Sequence, residues 1–125
     1  MPWYQELGLD SHGAQYLEPE LNVAMLLSDN TAIEWWTDLE RTAESFAQLS
    51  EADAQRLRVW AEDFREIVDD ILIPEAQRPP REPQERQHAL AATAAGRRLL
   101  EVATMSPRHF VEQEFTHPAI QAGLL

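Results

Sequence analysis

The segment LLSDNTAIEWWTDLERTAESF, Leu26 to Phe46, reads as two short strands folded on a tight turn and followed by a helix. Just upstream, Leu21, Val23, Met25 and Leu27 recur at every second position, the spacing that places them on one face of a strand. Asp29-Asn30 supplies the turn, because Asn tolerates the left-handed backbone that hairpins need, though less freely than Gly. A two-residue Asp29-Asn30 loop sets Ser28 opposite Thr31, Met25 opposite Glu34 and Val23 opposite Trp36. Trp35 then shares the other face with Ile33, opposite Ala24 and Leu26. Both faces are apolar, which suits a ribbon covered on both sides. A lone ribbon is marginal in water, so helices must cover it; no third strand follows.

Thr37 or Asp38 caps the next helix, which runs to about Gln48 and aligns Leu39, Ala43, Phe46 and Ala47 in a stripe. Ser50-Glu51-Ala52-Asp53 resembles a capping box, with Asp53 standing in for the usual Glu or Gln. From there Leu57, Trp60, Phe64, Ile67, Val68 and Ile71 recur at helical spacing until Pro74 stops the helix. PEAQRPPREP, Pro74 to Pro83, is an exposed connection. A third long helix spans roughly Gln84 to Thr104, lined by Leu90, Ala94, Leu99, Leu100 and Ala103, with Gly96 as a close-approach point. Ser106-Pro107 starts another that carries Phe110, Val111 and Phe115, and His117-Pro118 a last short one with Ile120, Leu124 and Leu125. The expected fold is α+β and mostly α in one domain. It has a loop with a short helix over 1–20, a β-hairpin over 21–37, and four to five helices over 38–125 with a Pro-rich linker at 74–83.

Composition narrows the chemistry. The 125 residues include no cysteine, which removes disulfides, thiolate metal sites and cysteine nucleophiles. A net charge of −12 repels phosphate backbones, so no nucleic acid is expected as a partner. LNVAMLL is the longest nearly apolar run and is too short to span a bilayer, so no integral membrane segment is expected. MPWYQELG does not read as a secretory leader, and a cytoplasmic location is expected. His12, His88, His109 and His117 include no pair at metal-site spacing. Glu62, Asp63, Glu66, Asp69 and Asp70 lack an accompanying Glu-x-x-His and read as a solvated helix face. The absence of lysine removes a phosphate-loop lysine and any Schiff base. Gly8, Gly13, Gly96 and Gly123 cannot form a Gly-x-Gly-x-x-Gly loop, and no Gly-x-Ser-x-Gly is present. No catalytic, cofactor-binding or metal-ligating residue is expected within the chain.

LGLDSHGAQYLEP (Leu7 to Pro19), LLSDNTAIEWWTDLERTAESFAQLSEADAQRL (Leu26 to Leu57), SPRHFVEQEF (Ser106 to Phe115) and HPAIQAGLL (His117 to Leu125) together carry a resemblance. In their order they resemble the phytoene desaturase-like FAD-dependent oxidoreductases, in their pyridine nucleotide-disulfide oxidoreductase-like branch. The family's turn is usually Asp-Gly, where this chain has Asp29-Asn30. The resemblance covers Leu7 to Leu125 and implies the central portion of a substrate domain: a partial cap domain in which helices overlie a piece of antiparallel sheet. It implies FAD in the full-length family, bound by segments upstream and downstream, with no cofactor in this chain and no activity of the chain alone. An apolar small-molecule substrate is implied, with Met25 and Trp35 as the substrate-facing candidates. The implied partner is the flavin-binding remainder of the enzyme or a second copy of the chain. Two other readings of the residues stand beside it. One is a non-catalytic helical interaction module that uses the Leu57 to Ile71 stripe as its contact. The other is a small hydrophobic-ligand binder using the space between hairpin and helices.

Overall fold

The computed structural model describes residues 5–15 and 17–125. The first four positions of the expected 1–20 loop, and Tyr16 within LGLDSHGAQYLEP, lie outside the described residues.

Strands β1 (Leu21–Leu26) and β2 (Ala32–Trp36) pair antiparallel. The turn is one residue longer than expected. Leu27 N–H donates to Thr31 O at 2.9 Å, Asn30 N–H donates to Leu27 O at 3.1 Å, and Asn30 sits at φ 65°. Ser28, Asp29 and Asn30 thus form a three-residue loop with its left-handed residue last, a common hairpin solution. Asp29 Oδ1 braces it by accepting from Thr31 N at 3.0 Å and from the Thr31 hydroxyl at 2.6 Å. One extra loop residue turns the partner strand over, since side chains alternate faces. Met25 therefore faces Ile33, not Glu34. Val23 faces Trp35, not Trp36, and a bulge between Leu21 and Val23 brings Leu21 opposite Trp36.

Helix α1 (Leu39–Ala47) starts at Asp38, whose Oδ1 accepts from Arg41 N at 3.0 Å. It lies against β2, and its hydroxyls take the place of a third strand. Glu34 N–H donates to Ser45 Oγ and Trp36 N–H to Thr42 Oγ1, both at 2.8 Å. These buried hydroxyls satisfy backbone donors that a sheet edge would otherwise leave open. Only one face of the ribbon is closed, which corrects the expectation of cover on both. Ile33 is fully buried, and Trp35 meets Phe46 edge-on at 5.8 Å between ring centres. On the other face Trp36 is covered by the guanidinium of Arg41, 3.3 Å from the ring centre, while Leu26 stays exposed.

Helix α2 (Glu51–Ile67) does not end at Pro74. It widens into a π turn over Val68–Leu72 and resumes as α3 (Ile73–Ala76). Proline lacks an N–H and crowds the carbonyl four residues back, and a wider turn just before it relieves that crowding. The expected helix over 84–104 is two: α4 (Pro83–Ala91) and α5 (Ala94–Ala103). Thr93 caps α5 by accepting from Gly96 N at 3.0 Å, and a Cβ on Gly96 would lie 2.1 Å from Leu90 O. The chain can fold back there only because position 96 is Gly. Helices α6 (Pro107–Glu114) and α7 (Pro118–Leu124) begin at Ser106 and His117, each with Pro in the first turn. Ile33, Ala43, Phe46, Ala54, Trp60, Phe115 and Ile120 form the core shared by ribbon and helices. The fold is α+β and mostly α, as expected.

Candidate functional site

Helical spacing on α2 sets Leu57, Trp60, Ala61 and Phe64 along one side, and α6 and α7 bring Phe110, Val111 and Leu124 against them. Pro107 and Phe115 complete the lining of an open cleft of about 290 Å³. Its walls are aromatic and aliphatic. Trp60 packs edge-on to Phe110 at 4.7 Å and tilted to Phe64 at 5.1 Å, and Phe64 meets Phe110 at 6.2 Å. Trp60 is almost fully buried, whereas Phe64 keeps 37% of its surface exposed at the mouth.

Behind this apolar wall lies a polar clamp. Glu114 Oε2 accepts from Trp60 Nε1 at 2.8 Å and from Arg56 Nε at 2.6 Å, and Arg56 Nη2 contacts the same oxygen. Burial alone would raise the Glu114 carboxyl, but donation from Trp60 and Arg56, with the charges of Arg56 and Arg98, outweighs it and holds the group below its usual range. Arg98 also lies over the Trp60 ring at 4.1 Å, where it pairs with Asp63 and Glu101.

Asp53 is buried to 1% exposure. It does not close a capping box onto Ser50; its own N–H donates to Ser50 Oγ at 3.2 Å. Its carboxylate instead accepts from Thr116 N and Oγ1, both at 2.9 Å, and from His117 N at 2.8 Å. Three donors satisfy it and pin the α6–α7 junction to α2. No local signal marks this role, because the partners lie 63 and 64 positions away. Glu114 carried a weak signal: it follows Phe110 by four residues and so shares its side of α6.

Met25 and Trp35, the substrate-facing candidates, do come together, but against α7. A Cβ on Gly123 would lie 2.4 Å from Trp35 Cη2 and 3.3 Å from Met25 Cε. Both side chains are half-buried there, and neither lines the aromatic cleft.

A second opening, of about 500 Å³, lies between the Pro-rich linker and α4, lined by Ile71, Pro79, Pro80, Arg81 and Leu90 among others. Arg86 spans it with a two-point pair to Glu75, at 2.8 Å to each oxygen. Those hydrogen bonds hold the Glu75 carboxyl below its usual range. Among the described residues no group of three or more His, Cys, Asp or Glu could hold a metal ion, and no helix is long and apolar enough to cross a membrane. The glycines do not fit a flavin-phosphate loop either. Gly8 and Gly13 cap a single helical turn, Gly96 is pressed on Leu90, and Gly123 is pressed on Trp35.

The fold and this cleft define a mostly helical protein with an open, apolar-lined cleft. The chain is 30% identical to a subunit of the limonene dehydrogenase of Castellaniella defragrans, over 125 residues that cover 99% of this chain and 23% of that protein. It thus spans less than a quarter of the length of the curated relative it matches, and the similarity is to part of a dehydrogenase subunit. No protein-family description and no solved structure matches the chain.

Proposed function

We propose that the chain is the substrate-domain portion of a phytoene desaturase-like, FAD-dependent oxidoreductase. It helps enclose an apolar substrate and holds no complete active site of its own. The observation that carries this is the similarity to a dehydrogenase subunit along 99% of the chain, from the exposed N-terminal loop through the ribbon to α7. The flavin belongs to segments outside this chain, since the residues present do not fit its phosphates. The flavin would supply the redox chemistry; this chain would position the substrate and keep water from it. We place the assembly in the cytoplasm.

The partner in this reading is the flavin-binding remainder, docked along the edge of β1 that no strand among the described residues pairs. Leu21, Val23 and Leu26 are exposed there, with Leu17 just before them. An exposed strand edge carrying apolar side chains is a template for pairing with another strand. Met25 and Trp35 would face substrate only where α7 lifts from the ribbon.

Antibodies raised against this chain test the reading in source cells. The expected result is a band several times heavier than 14.3 kDa that purifies with flavin absorbance. The purified chain mixed with FAD should emerge colourless from a desalting column. A free-standing band at the chain's own mass, or tight stoichiometric flavin on the chain alone, would sink the proposal.

A further inference from the structure

We infer that the opening between the Pro-rich linker and α4 binds the phosphate group of a soluble phosphate ester, held between the guanidinium groups of Arg78 and Arg81. Both arginines line this opening, on either side of Pro79-Pro80, and both are exposed. Elsewhere Arg41, Arg56, Arg58, Arg86, Arg98 and Arg108 each pair with a carboxylate. Arg78 and Arg81 form no ion pair among the described residues, although the chain holds 22 Asp and Glu residues. Arg81 acts on Glu75 only through its charge, because Glu75 is held at two points by Arg86. Asp70, the other carboxylate of the lining, pairs with neither arginine.

Proline sets the geometry. Pro79 and Pro80 fix their own φ and hold the residue before each extended, and Glu82, before Pro83, sits at φ −57° and ψ 139°. A chain of this kind turns once in about three residues and rises about 3.1 Å per residue, which puts Arg78 and Arg81 on one side with Cα atoms about 9 Å apart. Two guanidinium forks at that spacing can close on one group from opposite sides. The stiff backbone between them has little freedom left to lose, which favours binding. A phosphate monoester suits such a pair better than a carboxylate, because its three terminal oxygens accept from both forks at once and it carries more charge. Ile71 and Leu90, both buried, and Ala89 form an apolar floor for the rest of the ester. A single exposed phosphate held by side chains differs from a flavin diphosphate, which calls for the backbone N–H groups of a glycine-rich loop. The site goes beyond the function proposed above and does not depend on it.

The test is titration of the purified chain with phenyl phosphate, read by backbone and arginine Nε–H resonances in nitrogen-15 NMR. Arg78 and Arg81 should shift saturably, and Arg65, an exposed arginine outside the opening, should not. Inorganic phosphate should bind roughly tenfold more weakly, for want of contact with the apolar floor. Arg78→Gln combined with Arg81→Gln should weaken binding at least tenfold, and Arg65→Gln should leave it unchanged. All three positions are exposed, so these variants should fold. Sedimentation with phosphatidylcholine vesicles containing phosphatidic acid separates a soluble ester from a lipid headgroup. At a charge of −12 the chain should stay in the supernatant. No saturable shift at Arg78 and Arg81, an equal shift at Arg65, equal affinity for inorganic phosphate, or undiminished binding in the double variant overturns the inference. Sedimentation with the vesicles that the double variant abolishes overturns it as well, in favour of a membrane surface.

Discussion

The indole Nε1–H of Trp60 donates to Oε2 of Glu114 at 2.8 Å across 54 positions of sequence, and Arg56 donates to the same oxygen. One carboxylate therefore joins α2 to α6 and engages the one polar side-chain atom among the residues that line the cleft. Because its folded pKa is depressed, its contribution to stability is complete above the usual glutamate range and is lost as pH falls through the depressed folded value. Glu114→Gln keeps an acceptor but loses the charge, and should cost about 1–3 kcal/mol at neutral pH. Arg56 stays partly hydrated, which keeps the loss below that of a fully buried pair. Urea midpoints over a pH series give the check: the variant's acid limb should be flatter, and parallel curves would count against the clamp.

Asp53 answers for three donors at the α6–α7 junction, two of them backbone N–H groups. Asp53→Ala removes the acceptor of all three; Thr116 is exposed and can rehydrate in part, so the change should destabilise by about 1–3 kcal/mol. Asp53→Asn retains one acceptor oxygen and should lose less. Hydrogen exchange at Thr116 and His117 locates the effect, since those amides should lose protection first. Equal exchange in wild type and Asp53→Ala would refute the role.

Much of this fold was legible because its signals act over short distances. Asp38, Ser50, Ser106 and His117 start helices by contacts two or three residues long, and each does so here. The strand register was not legible, because it depends on whether Ser28 joins the loop, which the Leu27–Thr31 bond decides. Pro74 misled because a π turn absorbs its steric demand, and the break at Ala92–Thr93 hid behind helix-forming alanines. The Leu57, Trp60 and Phe64 half of the cleft was visible as a stripe. Its other half depends on how α6 and α7 dock, which Asp53 and Glu114 determine from far along the chain. A two-residue loop would set Met25 and Trp35 on opposite faces of the ribbon, and the longer loop is what brings them together.

Gly96 separates two opposing effects. Alanine is the better helix former by about 1 kcal/mol. A methyl group there would meet the Leu90 carbonyl at 2.1 Å, a contact with backbone that cannot swing away. Overpacking of this kind costs about 1–3 kcal/mol, so Gly96→Ala should be net destabilising. A thermal melt gives the sign directly. A raised midpoint would mean that α4 and α5 join into the single helix their sequence suggests.

Asn30 holds φ 65°, where Gly is freer and branched residues are strained. Asn30→Gly should leave stability unchanged or raise it slightly, and Asn30→Val should lower it by about 1–2 kcal/mol. Because the three-residue loop sets the register, Asn30→Val should also loosen the contact of Met25 with Ile33. Cross-strand proton contacts between those two side chains would report the change; their persistence at full strength in Asn30→Val would show that packing, not the turn, fixes the register.

The edge of β1 that no strand among the described residues pairs gives the last prediction. Val23 and Leu26 are 58% and 81% exposed, so a partner strand laid beside them would bury apolar surface and pair open backbone groups. Without its proposed partner the chain should associate with itself, weakly at low salt, where a charge of −12 repels a second copy, and more strongly as salt screens that repulsion. Val23→Lys combined with Leu26→Lys should block the edge, while surface changes of this kind alter stability by only about 0.5 kcal/mol. The two lysines add two positive charges and bring −12 to −10, so electrostatics alone would favour association of the variant. Sedimentation velocity over a concentration series therefore separates the causes. A variant that stays monomeric under salt where the wild type associates identifies the β1 edge as the contact, and a variant that associates more strongly than the wild type rules it out.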